Sequence, residues 1–345
     1  MVTGSGILWA GAGEALRAFI DATGIPFFTT PQGRGAVPED HPRSFPAART
    51  LAFREADVVL AVGTRANFIV SYFMPPRWSP DLELLAVNLD ESELGSSRPP
   101  AVGMLADARA ALEQLAEAAR GRFDAGSETP WIERLRRKTA ESDERQREAM
   151  QSGACPIHPL RLMAEIRAWL DRDAVLVEDG HDTLGFCRHT LHTHVLGHRM
   201  NPGVLGNVGV GVPVALGAKA ARPDTQVVLV SGDSAFGWNG MEMASCCLQD
   251  LPIVVVVLNN AGITARSREA PMMPGQDLGH VDYQRVCEAF GGHGERVEDP
   301  AEIRPALERA MASGRPAVVN VIVDPFVPSA THVGFAGVMS ESYSR

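Results

Sequence analysis

The 345-residue chain has little lysine, no paired cysteine motif and no long apolar run. Lys138 and Lys219 are the only lysines among its 32 basic residues, which face 42 acidic ones, so the formal net charge is -10. An acidic chain is a poor partner for the phosphate backbone of nucleic acid or for an anionic membrane surface. We therefore predict neither partner, although local arginine pockets remain open.

The five cysteines show no CxxC pair and no zinc-ligand spacing, and an odd number is typical of a reducing compartment. No segment reaches about 18 uninterrupted apolar residues, and the first residues lack the basic and apolar regions of a secretion signal. We expect a cytoplasmic protein without a membrane span. Because hydrophobic residues make up 45% of the chain and charged residues 21%, the chain should be globular.

Apolar runs alternate with helix-like segments along the chain. Runs such as DVVLAVGTR, DAVLVEDG and PIVVVVLNN lack the polar alternation of half-exposed strands, which indicates parallel sheets covered on both faces. The stretch GILWAGAG, residues 6–13, is predicted to be one more buried strand. The sequence therefore predicts an α/β protein with two doubly wound parallel-sheet domains.

A charged segment separates the two series of strands and helices. The stretch TPWIERLRRKTAESDERQREAMQSG is predicted to be a solvated helix that ends at Gly153. We place a first domain at residues 1–125, a linker helix at 126–155, a second domain at 156–328 and a C-terminal tail or lid at 329–345.

Polar residues end two neighbouring strands of the second domain. TQVVLVSGD ends at Asp233 and PIVVVVLNN ends at Asn260, with one predicted helix between them. This separation fits one β-α-β crossover. Because parallel strands share a direction, both side chains should emerge at the same carboxyl edge, where open α/β sheets bind ligands.

One carboxylate and one amide oxygen are few ligands, and this suits magnesium, which completes its octahedral shell with water and substrate phosphates. A diphosphate is the expected third partner, and the backbone N–H groups from Gly232 to Ala235 could bind it as an anion. Each element alone has a more common reading, because Asp233 could be a helix N-cap and Asn259 with Asn260 a turn.

Taken together, the GD pair and the NN pair resemble the thiamine diphosphate motif of the pyruvate-decarboxylase and acetolactate-synthase superfamily. The resemblance implies that Asp233 and Asn260 bind Mg²⁺ through their side chains and Gly262 through its carbonyl. It also implies a Rossmann-like central domain followed by a thiamine diphosphate-binding domain. The further cofactor-binding residues that it implies are Gly180, His181, Asp182, Thr183, Val208, Gly232, Ser234, Ala235 and Ile263.

Four stretches are similar to the branch of this superfamily that acts on acyl-CoA thioesters: SAFGWNGMEM, VGTRANFIVSYFMPPRW, TPQGRGAVPEDHP and EAFGGHG. In that branch the central domain holds ADP or CoA. The resemblance implies that Arg65, in GTR, contacts this nucleotide, and Arg34 could lie nearby. Arginine suits phosphate because its planar fork binds two oxygens. A surface role is the alternative for both, on a chain rich in arginine.

Three positions depart from the family pattern. Asp182 stands where relatives tend to have a neutral or cationic donor, and a carboxylate there would be repelled by a diphosphate unless protonated or turned away. Val208 replaces a larger residue beneath the cofactor, and Asn88 replaces an acid near the nucleotide ribose. The local cluster of five histidines between residues 181 and 198 has no known metal-ligand spacing, and we expect solvated histidines or neighbours of the cofactor site.

The resemblance implies a 2-hydroxyacyl-CoA lyase that releases formyl-CoA and an aldehyde or ketone. Oxalyl-CoA decarboxylase and an acetolactate synthase-like carboligase are the alternatives. Relatives hold the cofactor-activating glutamate in a pyrimidine-binding domain with no counterpart here, so we expect that domain on another polypeptide, in a homo- or hetero-oligomer. The chain could instead be a catalytically inactive fragment that binds cofactor or CoA.

Overall fold

A computed structural model describes residues 1–269 and 272–330 of the chain. The chain divides into two compact units. Unit 1 comprises Met1–Arg145 with Thr193–Arg199, and unit 2 comprises Gln146–His192 with the chain from Met200 onward. The predicted tail or lid lies outside the described residues, except for residues 329 and 330.

Unit 1 is built on a five-stranded sheet. Its strands are β1 (Val2–Thr3), β2 (Phe28–Thr29), β3 (Val58–Val62), β4 (Glu83–Asn88) and β5 (Val102–Leu105). They lie in the order β2-β1-β3-β4-β5, and every neighbouring pair is parallel.

Helices cover both faces of the unit 1 sheet. They are α1 (Gly6–Trp9), α2 (Gly13–Thr23), α3 (Arg49–Glu55), α4 (Ala108–Ala119) and α5 (Pro130–Met150). Side chains alternate along a strand, so Val59 and Ala61 of β3 join a core with α3 and α5. Leu60 and Val62 pack on the opposite face in a core with α2 and α4.

Unit 2 contains a six-stranded sheet. Its strands are β6 (Val175–Asp179), β7 (Arg199–Met200), β8 (Val227–Gly232), β9 (Val254–Asn259), β10 (His293–Val297) and β11 (Ala317–Ile322). The order is β10-β11-β9-β8-β6-β7. The first five in this order pair in parallel, so β9, β8 and β6 all end at one edge.

Helices also cover both faces of this sheet. They are α6 (Pro159–Trp169), α7 (His181–Thr190), α8 (Gly211–Ala221), α9 (Asp233–Asn239), α10 (Met243–Leu248), α11 (Gln284–Ala289) and α12 (Ile303–Ala312). Residues of α6, α7 and α12 pack on one face, and residues of α8 to α11 pack on the other. The predicted fold class, α/β with two parallel-sheet domains covered on both faces, is confirmed.

The predicted strand at residues 6–13 is wrong. Strand β1 comes before it, and Gly6 begins α1. The Gly6 N–H donates to the Gly63 carbonyl at 2.8 Å, and a Cβ on Gly6 would lie 2.6 Å from the Gly63 Cα. Backbone packs directly on backbone here, so the chain turns earlier than its apolar pattern indicates.

The boundary between the units also differs from the predicted linker. Ile132 and Leu135, in the first half of α5, are buried in the core of unit 1. The short segment at residues 193–199 belongs to unit 1. No change in the composition of the sequence indicates this. Among the helices that the structure describes, none is both long enough and apolar enough to cross a membrane.

Candidate functional site

A cavity of ≈ 240 Å³ lies at the carboxyl edge of the unit 2 sheet. The residues that follow β6, β8, β9 and β11 all contribute to its lining. Gly180 follows β6 and caps α7 with φ of +100°, and a Cβ there would lie 3.2 Å from the Gly232 nitrogen. Glycine at this position therefore lets the first turn of α7 approach the end of β8.

Most of the residues predicted to bind the cofactor line this cavity. Ala235 is the exception, because it is buried within the first turn of α9 and is not part of the lining. The predicted residues that do line the cavity are Gly180, His181, Asp182, Thr183, Val208, Gly232, Asp233, Ser234, Asn260, Gly262 and Ile263.

The two side chains predicted to bind Mg²⁺ converge on one backbone group. The Gly262 N–H donates to Oδ2 of Asp233 at 3.0 Å and to Oδ1 of Asn260 at 3.1 Å. The two side-chain oxygens therefore lie within hydrogen-bond distance of the same donor. No hydrogen bond to the Gly262 carbonyl is formed within residues 1–269 and 272–330. A carboxylate, an amide oxygen and a backbone carbonyl are the hard oxygen ligands that Mg²⁺ takes.

A strained turn holds Gly262 in this position. Ala261 has a φ of +60° and Thr264 a φ of +61°, a region that non-glycine residues rarely adopt. The Asn260 amide donates to the Thr264 carbonyl at 3.1 Å, and Arg266 donates to the Ala261 carbonyl at 2.9 Å. These contacts fix the loop at residues 260–266, which we call the metal loop because it contains Asn260 and Gly262, two of the predicted Mg²⁺ ligands.

Asp233 is almost fully buried, and burial raises the pKa of its carboxyl group to about 6. The backbone N–H groups of Ser234 and Gly262 oppose this rise in pKa. The charged carboxylate is therefore costly in the folded protein at neutral pH. A bound cation would offset that cost.

The raised pKa gives a prediction for the metal-free protein. Because the pKa of Asp233 is about 6 when folded and 3.8 when unfolded, its charge destabilises the fold more and more as pH rises through this window. Asp233→Asn cannot titrate, so its stability relative to the wild type should rise by about 1 kcal/mol between pH 5 and pH 8. Urea unfolding at both pH values in the presence of a chelator measures this, and a falling or constant difference would contradict the assignment.

A buried amide network anchors the start of the metal loop. Asn259 and Asn320 are 0% exposed. The Asn259 side chain donates to Oδ1 of Asn320 and to the Val281 carbonyl, both at 3.0 Å, and accepts from the Ala261 N–H at 3.1 Å. Asn320 donates in turn to Val281 at 3.0 Å and to Gln284 at 2.8 Å. Strands β9 and β11 and helix α11 are thereby joined beneath the loop.

Removing the central amide should loosen this anchor. Asn320→Leu leaves Oε1 of Gln284 without its donor and removes an acceptor from Asn259, at a cost of about 1–3 kcal/mol for each unpaired group. We expect a lower free energy of unfolding by denaturant. Gln249→Leu, at an exposed position of the same unit, is the control and should change stability by less than about 0.5 kcal/mol.

The two arginines predicted to bind a nucleotide are placed very differently in unit 1. Arg65 follows β3 at its carboxyl edge, with 68% of its side chain exposed, and pairs with Glu93 at 3.3 Å. Arg34 is buried and makes a two-pronged ion pair with Glu39 at 2.5 and 2.6 Å. The predicted nucleotide contact of Arg34 does not fit this position, because Glu39 already engages its guanidinium group. Asn88 accepts from the Asp90 N–H at 3.1 Å.

The histidine cluster does not form a metal site among the described residues. Within 1–269 and 272–330, no group of three or more His, Cys, Asp or Glu side chains could hold a metal ion. His194 and His198 belong to unit 1, whereas His189 and His192 belong to unit 2. Only His181 of the five lines the cavity.

Several residues that line the cavity are not among those predicted from the sequence. They lie in α6 and α7, in and after β9, in α9 and after β11: Pro159, Phe186, Trp238, Leu258, Thr264, Val323, Asp324 and Val327. Asp324 could have been found by the rule that placed Asp233 and Asn260, since it follows another parallel strand at the same edge. The apolar residues give no comparable signal, because they look like ordinary core residues in the sequence.

Two family models match this chain. The model for the C-terminal TPP binding domain of thiamine pyrophosphate enzymes matches residues 182–321, and the model for their central domain matches residues 1–115. The first match contains the metal loop and most of the cavity lining.

Curated relatives are similar over most of the chain. A 2-hydroxyacyl-CoA lyase of Oryza sativa is 34% identical over 341 residues, covering 94% of this chain and 59% of the relative. A probable acetolactate synthase of Mycobacterium bovis is 36% identical over 337 residues, with 95% and 59% covered. The oxalyl-CoA decarboxylase of Escherichia coli is 30% identical over 335 residues, with 94% and 58% covered. The chain thus spans less than two thirds of the length of these relatives.

A solved structure has the same fold. It is the thiamine diphosphate-dependent 4-hydroxybenzoylformate decarboxylase of Rhodococcus jostii RHA1, with a TM-score of 0.74 and 22% sequence identity. The match covers 94% of this chain and 61% of that one. At this identity the likeness concerns the fold.

Proposed function

The chain belongs to the thiamine pyrophosphate enzymes, and from that premise we propose that it holds Mg²⁺ and thiamine diphosphate in a carbon–carbon lyase. The substrate in this proposal is a 2-hydroxyacyl-CoA, which is split into formyl-CoA and an aldehyde or ketone. The single observation that supports it best is the convergence of Asp233 and Asn260 on the Gly262 amide, inside the cavity.

The donor set fits a magnesium ion. Asp233 and Asn260 would hold it through their side chains and Gly262 through its carbonyl, and phosphate oxygens and water would complete the shell. Burial raises the pKa of Asp233 to about 6, so keeping its carboxylate charged at neutral pH costs free energy. A cation bound in this site would offset that cost. Ser234, Thr183 and His181 line the same cavity and supply polar groups toward a diphosphate.

The cavity walls suit a reaction that must exclude water. Bound thiamine diphosphate supplies an electron sink for breaking a bond next to a carbonyl carbon. Phe186, Val323 and Val327 give the cavity an apolar wall, and a dry wall strengthens the electrostatic contacts made at the metal. The protein's contribution in this proposal is placement and exclusion of water.

Exposed apolar residues at the cavity suggest that something covers it. Val208, Trp238 and Ile263 line the cavity yet are 46%, 72% and 48% exposed. Large exposed apolar side chains grouped at a site are typical of a docking surface. We propose that a pyrimidine-binding domain docks here, completes the cofactor site and supplies the activating glutamate, within an oligomer.

The acyl-CoA branch is favoured over carboligation by the position of Arg65. An exposed arginine at the carboxyl edge of a parallel sheet is well placed for the phosphates of a CoA or ADP group. Acetolactate-type carboligation is the second candidate, supported by a relative of that name at 36% identity.

A reconstitution assay tests the proposal. The purified chain is mixed with a polypeptide that contains the part of the rice lyase that this chain does not match, with Mg²⁺ and thiamine diphosphate. It is then supplied separately with a 2-hydroxyacyl-CoA, oxalyl-CoA or pyruvate. We expect formyl-CoA and an aldehyde from the first substrate.

Each other outcome selects a different function. Turnover of oxalyl-CoA alone would assign a decarboxylase, and turnover of pyruvate alone a carboligase. Cofactor binding without turnover of any substrate would assign a binding protein. No cofactor binding at all would refute the proposed site.

A further inference from the structure

Asp182 is one of the three positions expected to depart from the family pattern, and in the structure its carboxylate joins separate segments of unit 2. It lies in the first turn of α7 and lines the cavity. Its Oδ2 accepts the Ala265 N–H at 2.8 Å, and its Oδ1 accepts the Ser329 N–H at 2.9 Å. One carboxylate thus joins three distant parts of unit 2.

Both partners of Asp182 belong to segments that form the cavity. Ala265 is in the metal loop, which contains Gly262. Ser329 is 0% exposed and ends the segment at residues 323–329, which we call the site strap and which lines the cavity through Val323, Asp324 and Val327. Releasing Asp182 would therefore free a metal-binding segment and a wall of the cavity together.

The metal loop and the site strap also contact each other. The backbone N–H of Arg266 donates to the Pro325 carbonyl at 2.7 Å. Just beyond the metal loop, the Arg268 guanidinium group lies 4.2 Å from the centre of the Phe326 ring. Asp182 lies at the point where these two contacting segments meet α7. Its two hydrogen bonds complete a three-way junction.

The chemistry of the junction requires a carboxylate. Two converging N–H donors need two acceptor oxygens, which an ionised aspartate has. Asparagine has one acceptor and one NH₂ group, and the NH₂ would face an N–H donor. Hydrogen bonds from backbone N–H groups to a charged oxygen are also stronger than those to a neutral one. The Ala265 and Ser329 N–H groups engage one oxygen each, so both oxygens of the carboxylate take part in the junction.

We propose that Asp182 is a positioning residue that fastens the metal loop and the site strap to α7 and so keeps these two parts of the cavity lining in place. This inference deepens the proposed function and rests on it for the identity of the ligand. The fastening itself is a property of the chain without any ligand.

Hydrogen exchange of the cofactor-free full chain tests the fastening. In Asp182→Ala, we expect the Ala265 and Ser329 amides to exchange at least about tenfold faster, with faster tryptic cleavage after Arg266 and Arg268. Protection of β8 and β9 should stay unchanged, which separates local release from global unfolding. Asp224→Ala, at an exposed position before β8, is the matched control. Unchanged exchange at both amides would overturn the proposal.

Binding of Mg²⁺-thiamine diphosphate to Asp182→Asn gives a second test, because repulsion and fastening predict opposite changes in affinity. If the charge of Asp182 merely repels a diphosphate, Asp182→Asn should bind Mg²⁺-thiamine diphosphate more tightly. If Asp182 fastens the site, the same variant should bind about tenfold more weakly, and tighter binding would overturn the proposal. Faster exchange in Asp182→Ala, together with a wild type that binds no Mg²⁺-thiamine diphosphate, would support the fastening and refute only the proposed function.

Discussion

Replacing Asp233 by asparagine is expected to weaken Mg²⁺-dependent binding of thiamine diphosphate by at least about 100-fold. Loss of the outer partners of metal ligands already costs about 10- to 100-fold in affinity, and Asp233 is the one charged side chain among the three ligands of the proposed site. Asparagine keeps the shape and one acceptor, so the Gly262 N–H retains a partner. Titration of the cofactor at fixed Mg²⁺, followed through Trp238 fluorescence, measures the change.

The control for this experiment is Asp224→Asn. Asp224 is exposed and lies before the start of β8, whereas Asp233 follows its end, so the two variants make the same charge change at opposite ends of one strand. The control should bind the cofactor as the wild type does. Retained affinity in Asp233→Asn would remove the basis of the proposed function, whereas joint loss in both variants would indicate a charge effect unrelated to the site.

Glu39→Ala is expected to destabilise unit 1 by about 3–5 kcal/mol. Glu39 is buried and paired with Arg34, and it also accepts the Thr193 N–H at 2.8 Å. Removing it leaves a buried arginine without its counter-charge, which is far more costly than removing a complete pair. Hydrogen exchange of the β3 amides as a function of denaturant reports on unfolding of unit 1 alone.

The effect of Glu39→Ala should depend on pH in a defined direction. Burial by itself raises the pKa of Glu39, but Arg34, Arg199 and the Thr193 N–H outweigh it and hold the pKa below 4.5. A depressed pKa contributes stability that is present above pH 4.5 and is lost as pH falls through the folded value. The difference between variant and wild type should therefore be constant above about pH 5.5 and shrink below pH 4.5.

An exposed glutamate serves as the comparison. Glu113 pairs with Arg109 one helical turn away on the surface of α4, and Glu113→Ala should cost less than about 0.5 kcal/mol. Equal effects of the two substitutions would contradict the importance that we give to the buried pair.

The sequence was most informative where strands are long and fully apolar. Strands β3, β6, β8 and β9 all fall within predicted runs. Strand β5 is short, contains Gly103 and is mostly exposed, and β10 is polar at the edge of its sheet. Neither shows the apolar run of a central strand, so neither was predicted. Helix α7 was also missed, since Gly185 and two histidines weaken its helical pattern.

Part of the candidate site could likewise be predicted from the sequence, and part could not. The meeting of Asp233 and Asn260 follows from strand direction alone, because parallel strands deliver their last residues to one edge. The partners of Asp182 could not be predicted, since Ala265 and Ser329 lie in irregular segments and contribute only backbone groups. The pairing of Arg34 with Glu39 could not be predicted for a related reason. In a chain with many arginines, the sequence does not show which arginine side chain is buried.

The amide network beneath the metal loop has a consequence for the conditions under which the site keeps its shape. Carboxamides neither gain nor lose protons across the physiological range, and a neutral buried contact is little affected by ionic strength. The hydrogen bonds that join Asn259, Asn320 and Gln284 should therefore change little with pH or with salt concentration. A change in pH can therefore alter the charge of Asp233 while the amide network beneath the metal loop keeps its hydrogen bonds.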